Sequence, residues 1–204
     1  MTEELTVSTG QAMQEIPTVA DMKNVFQDKN AFDMALRGAM ALSKSTIVPQ
    51  AYQNKPENCF IAINLANRMG VDPMIVMQNL YVVQGKPSWA GQACMMLIKN
   101  CGEFKNVKHV YTGERGKDNW GCYVTALRRS DGEVVNGAEV TIDIAKKEGW
   151  YGKSGSKWQT MPELMLAYRA SAWFARVHTP EALMGMHTAD ENNDVGKQKA
   201  VDVL

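Results

Sequence analysis

WGCYVTALRRSDGEVVNGAEVTI, residues 120–142, is the stretch that decides the fold class. Two runs rich in β-branched residues, Trp120–Leu127 and Glu133–Ile142, lie on either side of Asp131-Gly132. An Asp-Gly pair between such runs is typical of a β-hairpin, because the turn needs the positive φ that glycine adopts without strain. The stretch therefore predicts two neighbouring antiparallel strands.

The segments on both sides of this hairpin carry the signals of helices. Residues 31–44 place their apolar residues on one broad face, which is the pattern of an amphipathic helix. Pro56 opens a second helix that runs to Met69, and Pro162–Val177 is a helix after the hairpin. Helices, then a small antiparallel sheet packed with them, then helices again predict an α+β fold in a single domain.

Shorter elements complete the predicted order, and both ends are expected to be loose. The other strands are 80–84, followed by a turn at Gly85-Lys86-Pro87, and 104–112. The other helices are one near 20–28, a short one from Asp72-Pro73, 90–100, a turn or two at 141–148, and a last one capped by Thr179-Pro180-Glu181. We expect a flexible arm at 1–18, the functional domain at 19–186 and a polar tail at 187–204.

Composition favours a cytoplasmic protein without a metal site. No apolar run approaches the ~18 residues that a membrane span needs, and the acidic N-terminus lacks the apolar core of a secretory signal. The four cysteines show no CxxC spacing and lie among apolar neighbours, which is typical of reduced core cysteines. The three histidines form no ligand pair with each other or with a cysteine. These residues are Cys59, Cys94, Cys101, Cys122, His109, His178 and His187.

The charge is unevenly distributed although it sums to zero, with 22 basic and 22 acidic residues. Residues 81–176 carry 14 Lys and Arg against 9 Asp and Glu, whereas residues 1–80 and 177–204 have net charges of −2 and −3. A basic middle between acidic ends is compatible with a local phosphate-binding face.

The most informative segment is Gly149–Trp158, GWYGKSGSKW. Glycine lets the backbone approach a ligand closely, lysine contacts phosphate, and aromatic rings stack on unpaired bases. Single-strand binding needs these properties together, which makes Tyr151, Lys153, Lys157 and Trp158 candidate DNA contacts. The alternative is a loop whose tryptophans anchor it to the core, and the residues alone leave both interpretations open.

The Gly152-Lys153-Ser154 triplet does not fit a nucleotide-binding phosphate loop. That motif needs a glycine five residues before Gly152, and the position is Lys147. No nucleophile constellation stands out, and the neighbouring carboxylates Asp190-Glu191 and Asp194 fall in the predicted tail. An enzyme, either a nuclease or a nucleotide-binding protein, is therefore the weaker alternative.

Two other elements combine basic with aromatic residues. Lys86 and Trp89 flank a tight turn before a helix, whose N-terminal N–H groups would add donors for a phosphate. Arg169, Trp173 and Arg176 share one face of the helix from Pro162, at i, i+4 and i+7. The alternatives are a plain turn with its tryptophan packed inward, and arginine stems that cover a buried tryptophan.

Three blocks of sequence resemble the RecT-type phage recombinases, a family of single-strand annealing proteins. The blocks are Asn64–Pro73 with Met77–Trp89, then Gly149–Tyr151 through Trp158–Met165, then Ala167–Phe174. The resemblance covers roughly residues 45–190 and depends on the order of the blocks. One departure is Arg169-Ala170, where many relatives have a Lys-Thr pair; arginine keeps the charge but changes the contact.

The resemblance implies that residues 19–186 anneal complementary single-stranded DNA without ATP, hold the annealed duplex, break no covalent bond and need no cofactor. It also implies homo-oligomers, as rings or helical filaments, and work beside a phage exonuclease and a host single-stranded DNA-binding protein in the bacterial cytoplasm. A structural phage oligomer that does not bind DNA stays open as a second alternative. The predicted DNA contacts are Lys86, Trp89, Tyr151, Lys153, Lys157, Trp158, Arg169, Trp173 and Arg176.

Overall fold

Eight helices and two small sheets make up the part of the chain that the computed structural model describes, residues 25–83 and 85–195. The predicted α+β class and single domain are confirmed. The helices are α1 (Lys29–Ser43), α2 (Pro56–Met69), α3 (Pro73–Asn79), α4 (Ala93–Asn100), α5 (Ile142–Lys147), α6 (Lys157–Thr160), α7 (Pro162–His178) and α8 (Ala189–Val195). The strands are β1 (Leu80–Val83), β2 (Lys86–Trp89), β3 (Phe104–Thr112), β4 (Gly121–Arg128), β5 (Val134–Asn136), β6 (Val140–Thr141) and β7 (His187–Thr188).

The first three helices begin and end where capping residues place them. The side chain of Asp28 accepts a hydrogen bond from the N–H of Ala31 at the start of α1. Gly70 ends α2 in the left-handed region at φ 62°, and Asp72 caps α3 through the N–H of Met74. These helices confirm the predictions. The helix expected near 20–28 falls mostly outside the described residues, and its described part, residues 25–27, is a turn.

The first sheet has the order β1-β2-β7, with β1 antiparallel to β2 and β7 parallel to β2. The predicted turn Gly85-Lys86-Pro87 is wrong for its last two residues, because Lys86 pairs with Val83 and Pro87 with Val82. Proline has no N–H for a ladder hydrogen bond, and it is tolerated in this middle strand because β7 pairs with Ser88 and Trp89 only, which leaves Pro87 a neighbouring strand on one side. The hairpin is thus tighter than the sequence suggested.

The second sheet has the order β3-β4-β5, with β6 also paired to β4. The Asp131-Gly132 hairpin is confirmed, with Gly132 at φ 75°. The strand predicted over Glu133–Ile142 is instead broken into β5 and β6. Between them, Gly137 packs so closely that an added Cβ would lie 3.0 Å from Cδ2 of Phe174.

Helix α7 lies at the centre of the molecule, where it packs on β4 and on α4. Phe174 of α7 meets Phe104 of β3 edge-on, with ring centroids 5.3 Å apart. Burial of Leu166, Ala170 and Phe174 against the second sheet fixes the direction of the whole helix. Every side chain on the remaining faces of α7 is therefore held at a defined place.

The segment after α7 departs most from the predictions. The short helix predicted to begin at Thr179-Pro180-Glu181 is wrong, because residues 180–185 are turns. The predicted tail is wrong for residues 187–195, which form β7 and α8, while residues 196–204 lie outside the described part of the chain. The side chain of Asn192 bonds the buried hydroxyl of Ser88, 104 residues earlier, so order here comes from tertiary contacts.

None of the helices in the described residues has the length and apolar character that crossing a membrane requires.

Candidate nucleic-acid interface

The loop at residues 149–156 is closed by its own hydrogen bonds. The hydroxyl of Ser156 donates to the carbonyl of Trp150 at 2.6 Å, and the N–H of Ser156 donates to the carbonyl of Lys153 at 3.0 Å. Gly149 and Gly155 take positive φ angles of 72° and 70°, which lets the chain turn twice within a few residues. We call residues 149–156 the basic loop; it is irregular, as predicted, but it has a defined shape.

Three tryptophans pack together beneath this loop. The ring of Trp150 lies 5.5 Å from that of Trp158 and 6.4 Å from that of Trp173, between ring centroids. Trp158 is only 3% exposed, so its ring has no open face for a base in this conformation. The interpretation in which the tryptophans anchor the loop to the core is therefore the right one for Trp150 and Trp158, and stacking by Trp158 is not supported.

Arg169 of α7 reaches this tryptophan cluster from the helix. Its guanidinium carbon lies 3.9 Å from the centroid of the Trp150 ring, a close cation–π contact. The residue is 7% exposed, because its stem is covered and its charged end reaches the base of the loop. The contact joins the middle of α7 to the basic loop.

A cleft of about 220 Å³ opens between the basic loop, α7 and α8. We call it the cationic cleft. Four of the predicted DNA contacts line it: the buried Trp158, the half-buried Lys153, the exposed Lys157, and Arg169. One acidic side chain, Asp190 of α8, lines it as well. The volume is below the ~300 Å³ typical of small-molecule pockets, so the cleft suits part of a polymer better than a whole enclosed nucleotide.

A comparison with families of known proteins decides the identification. The model described as "RecT family" matches residues 33–203, which include the whole cationic cleft.

The chain belongs to the RecT family.

No curated protein and no solved structure matches the chain. The resemblance stated from the three blocks is confirmed, and the RecT family places the chain among proteins of phage recombination that anneal single strands.

Arg176, one of the predicted DNA contacts of this RecT chain, does not line the cleft. Its Nη2 lies 2.6 Å from the carboxylate of Glu191, and its Nη1 lies 3.3 Å from Nδ1 of His187. The side chain is partly exposed, but its charge holds β7 and α8 against α7. Helical spacing correctly put Arg169 and Arg176 on one side of the helix. Different segments pack on the two ends of that side, so the two arginines have different partners.

The β1–β2 hairpin of the RecT chain also lies outside the cleft. Trp89 is completely buried, and its Nε1 donates to the carbonyl of Leu183 at 3.2 Å. The alternative of an inward-packed tryptophan is therefore correct, and Trp89 presents no surface to a base. Lys86 is exposed at the start of β2 but does not line the cleft. Tyr151 is half-buried beside the cleft, with Nζ of Lys146 5.5 Å from its ring centroid.

Sequence reasoning missed a second, wider groove of about 620 Å³ next to the C-terminal end of α6. There Nη2 of Arg115 bonds Oε2 of Glu163 at 2.8 Å, across 48 residues of sequence. No local pattern links these two segments, and the general basic excess of residues 81–176 was the one relevant signal. The groove is lined mainly by Tyr111, Arg115, Trp120, Met161 and Leu164.

The remaining reactive side chains of the RecT chain serve packing. Nε2 of His109 lies 2.8 Å from the hydroxyl of Ser171, but Ser171 is buried and reaches no substrate. Burial lowers the pKa of His109 and raises the pKa of the Cys94 and Cys122 thiols to about 12. Within the described residues, no group of three or more His, Cys, Asp and Glu side chains has the arrangement of a metal site.

Proposed function

We propose that this RecT-family chain anneals complementary DNA strands without ATP, and that the cationic cleft holds the phosphate backbone of a single strand. The observation that carries the proposal is the meeting of Lys153 and Lys157, from the basic loop and α6, with Arg169 of α7. Three cations from two segments of sequence line one cleft in a chain whose family pairs single strands.

The size of the cleft supports backbone binding with the bases left outside. A space of about 220 Å³ is too small to enclose a nucleotide together with its neighbours, whereas the cations along it can neutralise consecutive phosphates. Bases that stay outside remain free to meet a complementary strand. Neutralised phosphates also lower the repulsion between two strands, which promotes pairing without any bond being broken.

The DNA contacts in this proposal differ from those predicted from the sequence alone. Lys153, Lys157 and Arg169 contact phosphates, and the half-buried Tyr151, which follows Trp150 in the chain but does not line the cleft, offers a ring to a neighbouring base. Trp150 packs against the guanidinium of Arg169, and Trp173 packs against Trp150. Lys86 would meet only DNA that extends beyond the cleft.

Oligomerisation follows from the small number of phosphates that one cleft can hold. One cleft accommodates a few phosphates, so a single protomer binds a strand weakly. Subunits arranged side by side in a ring or filament would present many clefts to one strand and convert weak contacts into tight binding. We therefore include DNA-dependent oligomerisation in the proposal.

An annealing assay with matched charge variants tests the proposal. Two complementary dye-labelled oligonucleotides are mixed without nucleotide, and pairing is followed by fluorescence. We expect the protein to accelerate pairing and Lys153→Gln with Lys157→Gln to abolish most of the acceleration. The control is Lys105→Gln with Lys108→Gln, which removes the same charge from exposed positions on β3. Equal losses in both double variants would contradict a role for the cleft, and a requirement for ATP would contradict the annealing mechanism.

A further inference from the structure

Residues 187–195, which comprise β7 and α8, form a short acidic segment beside the cationic cleft. Asp190 lines the cleft together with Lys153, Lys157 and Arg169. Glu191, the next residue, is paired with Arg176 of α7. We call residues 187–195 the acidic strap, because two consecutive carboxylates face basic side chains of the region that the proposed function assigns to DNA.

The strap is attached at a few defined points. The Glu191 carboxylate is 11% exposed and accepts hydrogen bonds from Nη2 of Arg176 at 2.6 Å and from the N–H and hydroxyl of Thr188, both at 2.9 Å. Asn192 donates to the Ser88 hydroxyl at 2.7 Å. The bonds to Arg176 and Ser88 attach the strap to the rest of the fold, whereas the Thr188 bonds lie within the strap, and β7 joins β2 through two residue pairs.

Such an attachment allows the strap to open while the rest of the fold stays intact. A seven-residue helix is too short to be stable by itself, and a two-residue strand adds little pairing. Segments held by few buried contacts are the ones that open locally at a small fraction of the global unfolding free energy.

We propose that the acidic strap competes with DNA for the cationic cleft. This inference rests on the proposed function. The carboxylate of Asp190 carries the same charge as a phosphodiester and lines the same cavity as three cations, so a phosphate entering the cleft meets a negative charge already there. Binding therefore requires Asp190 to withdraw, and a strand must engage the cations strongly enough to release the strap. The strap thereby disfavours weak contacts with isolated anions.

Two variants that each remove one negative charge test the competition. Affinity for dye-labelled oligo-thymidine is measured by fluorescence anisotropy for the full chain, for Asp190→Asn and for Glu181→Gln, whose side chain is exposed on the turn before the strap. We expect Asp190→Asn to bind about five-fold more tightly, in the range of a partly exposed ion pair, and Glu181→Gln to be unchanged. Equal tightening in both variants would show a general charge effect, and weaker binding by Asp190→Asn would show that Asp190 positions the cations; either result overturns the proposal.

Hydrogen exchange gives a readout that does not depend on affinity. Thr188 is 3% exposed while β7 is paired with β2, so its N–H should exchange several-fold faster when oligo-thymidine is bound, because release of the strap exposes it to water. Unchanged or slower exchange in bound protein would overturn the strap while leaving the proposed function intact. If neither the full chain nor Asp190→Asn binds oligo-thymidine, the proposed function fails and the strap fails with it.

Discussion

Two turns of this molecule contain the same kinds of residue but differ in what surrounds them. GKPSW at residues 85–89 and GKSGSKW at residues 152–158 each combine glycine, lysine, serine and tryptophan. In both, the tryptophan is buried: Trp89 under the 180–185 turns and Trp158 against Trp150. The second turn faces another basic element, the middle of α7, and a cationic cleft forms between them.

A turn that contains basic and aromatic residues is therefore a candidate site because of the element that packs opposite it. The hairpin of β1 and β2 leaves Lys86 at an exposed position, and the cavity of about 190 Å³ lined by its neighbours Gly85 and Pro87 has only uncharged residues in its lining. The basic loop and α6 instead place Lys153 and Lys157 in one cleft with Arg169. The following predictions test this contrast.

The largest expected effect is common to both turns. Trp89→Ala and Trp158→Ala should each lower the free energy of unfolding by about 3–5 kcal/mol, because each removes a buried aromatic side chain. Urea unfolding followed by circular dichroism measures the loss. Tyr81→Ala, at a largely exposed aromatic position of the same hairpin, is the control and should cost ~1 kcal/mol or less. A stable Trp158→Ala variant with reduced DNA binding would restore the stacking role for Trp158.

A smaller effect should separate the two arginines of α7. Arg169→Gln removes the cation–π contact with Trp150, and Arg176→Gln removes the pair with Glu191, so each should cost about 1–2 kcal/mol of stability. DNA affinity should fall by ~1 kcal/mol or more only for Arg169→Gln. Arg176→Gln should bind DNA at least as well as the unchanged chain, because it loosens the strap. A matched fall in both affinities would place Arg176 in the DNA site.

Each of the two turns contains a glycine whose replacement by alanine should cost a similar amount of stability. Gly85 and Gly155 both have positive φ, 77° and 70°, and nothing lies within 4 Å of an added Cβ at either position. Alanine at either should cost ~1 kcal/mol of stability, which thermal unfolding can detect. Because Gly155 lines the cleft, only Gly155→Ala should also slow annealing. Slowed annealing in Gly85→Ala as well would mean that the hairpin belongs to the interface.

The lysines should affect binding with almost no effect on folding. Lys153→Gln with Lys157→Gln should flatten the plot of log affinity for single-stranded DNA against log salt by about 1.4, since each lost phosphate contact contributes about 0.7. Stability should stay within ~0.5 kcal/mol. Lys86→Gln should leave the slope unchanged. A change of about 0.7 in the slope of Lys86→Gln would show that the hairpin contacts phosphate as well.

Much of the secondary structure follows from local signals. Pro56, Gly70 and Asp72 bound α2 and α3 at the predicted residues, and Asp131-Gly132 makes the predicted hairpin. Each of these signals acts through the backbone of a few neighbouring residues, which is why it can be recognised without the fold. The order of three sequence blocks likewise indicated the RecT family, which the family comparison confirms.

The predictions failed where the outcome depended on distant segments. The break between β5 and β6 comes from the approach of Phe174 to Gly137, and the order of residues 187–195 comes from contacts such as Asn192 with Ser88. The acidic residue of the cleft was missed for the same reason, because Asp190 lay in what composition predicted to be a loose tail. A polar composition describes a segment's own preference and not the surface against which it packs.

The sequence alone predicted α1 to α5 and α7, the Asp131-Gly132 hairpin, the irregular basic loop and the family, because capping, turn chemistry and motif order are properties of adjacent residues. Only the tertiary structure decided which basic and aromatic side chains are accessible. Trp89 is buried, and its Nε1 donates to the carbonyl of Leu183, 94 residues away. Arg169 is held at the cleft by its cation–π contact with Trp150 of the basic loop. The physical reason is that exposure and electrostatic partnership depend on what is packed opposite a side chain, and local sequence patterns carry no information on that.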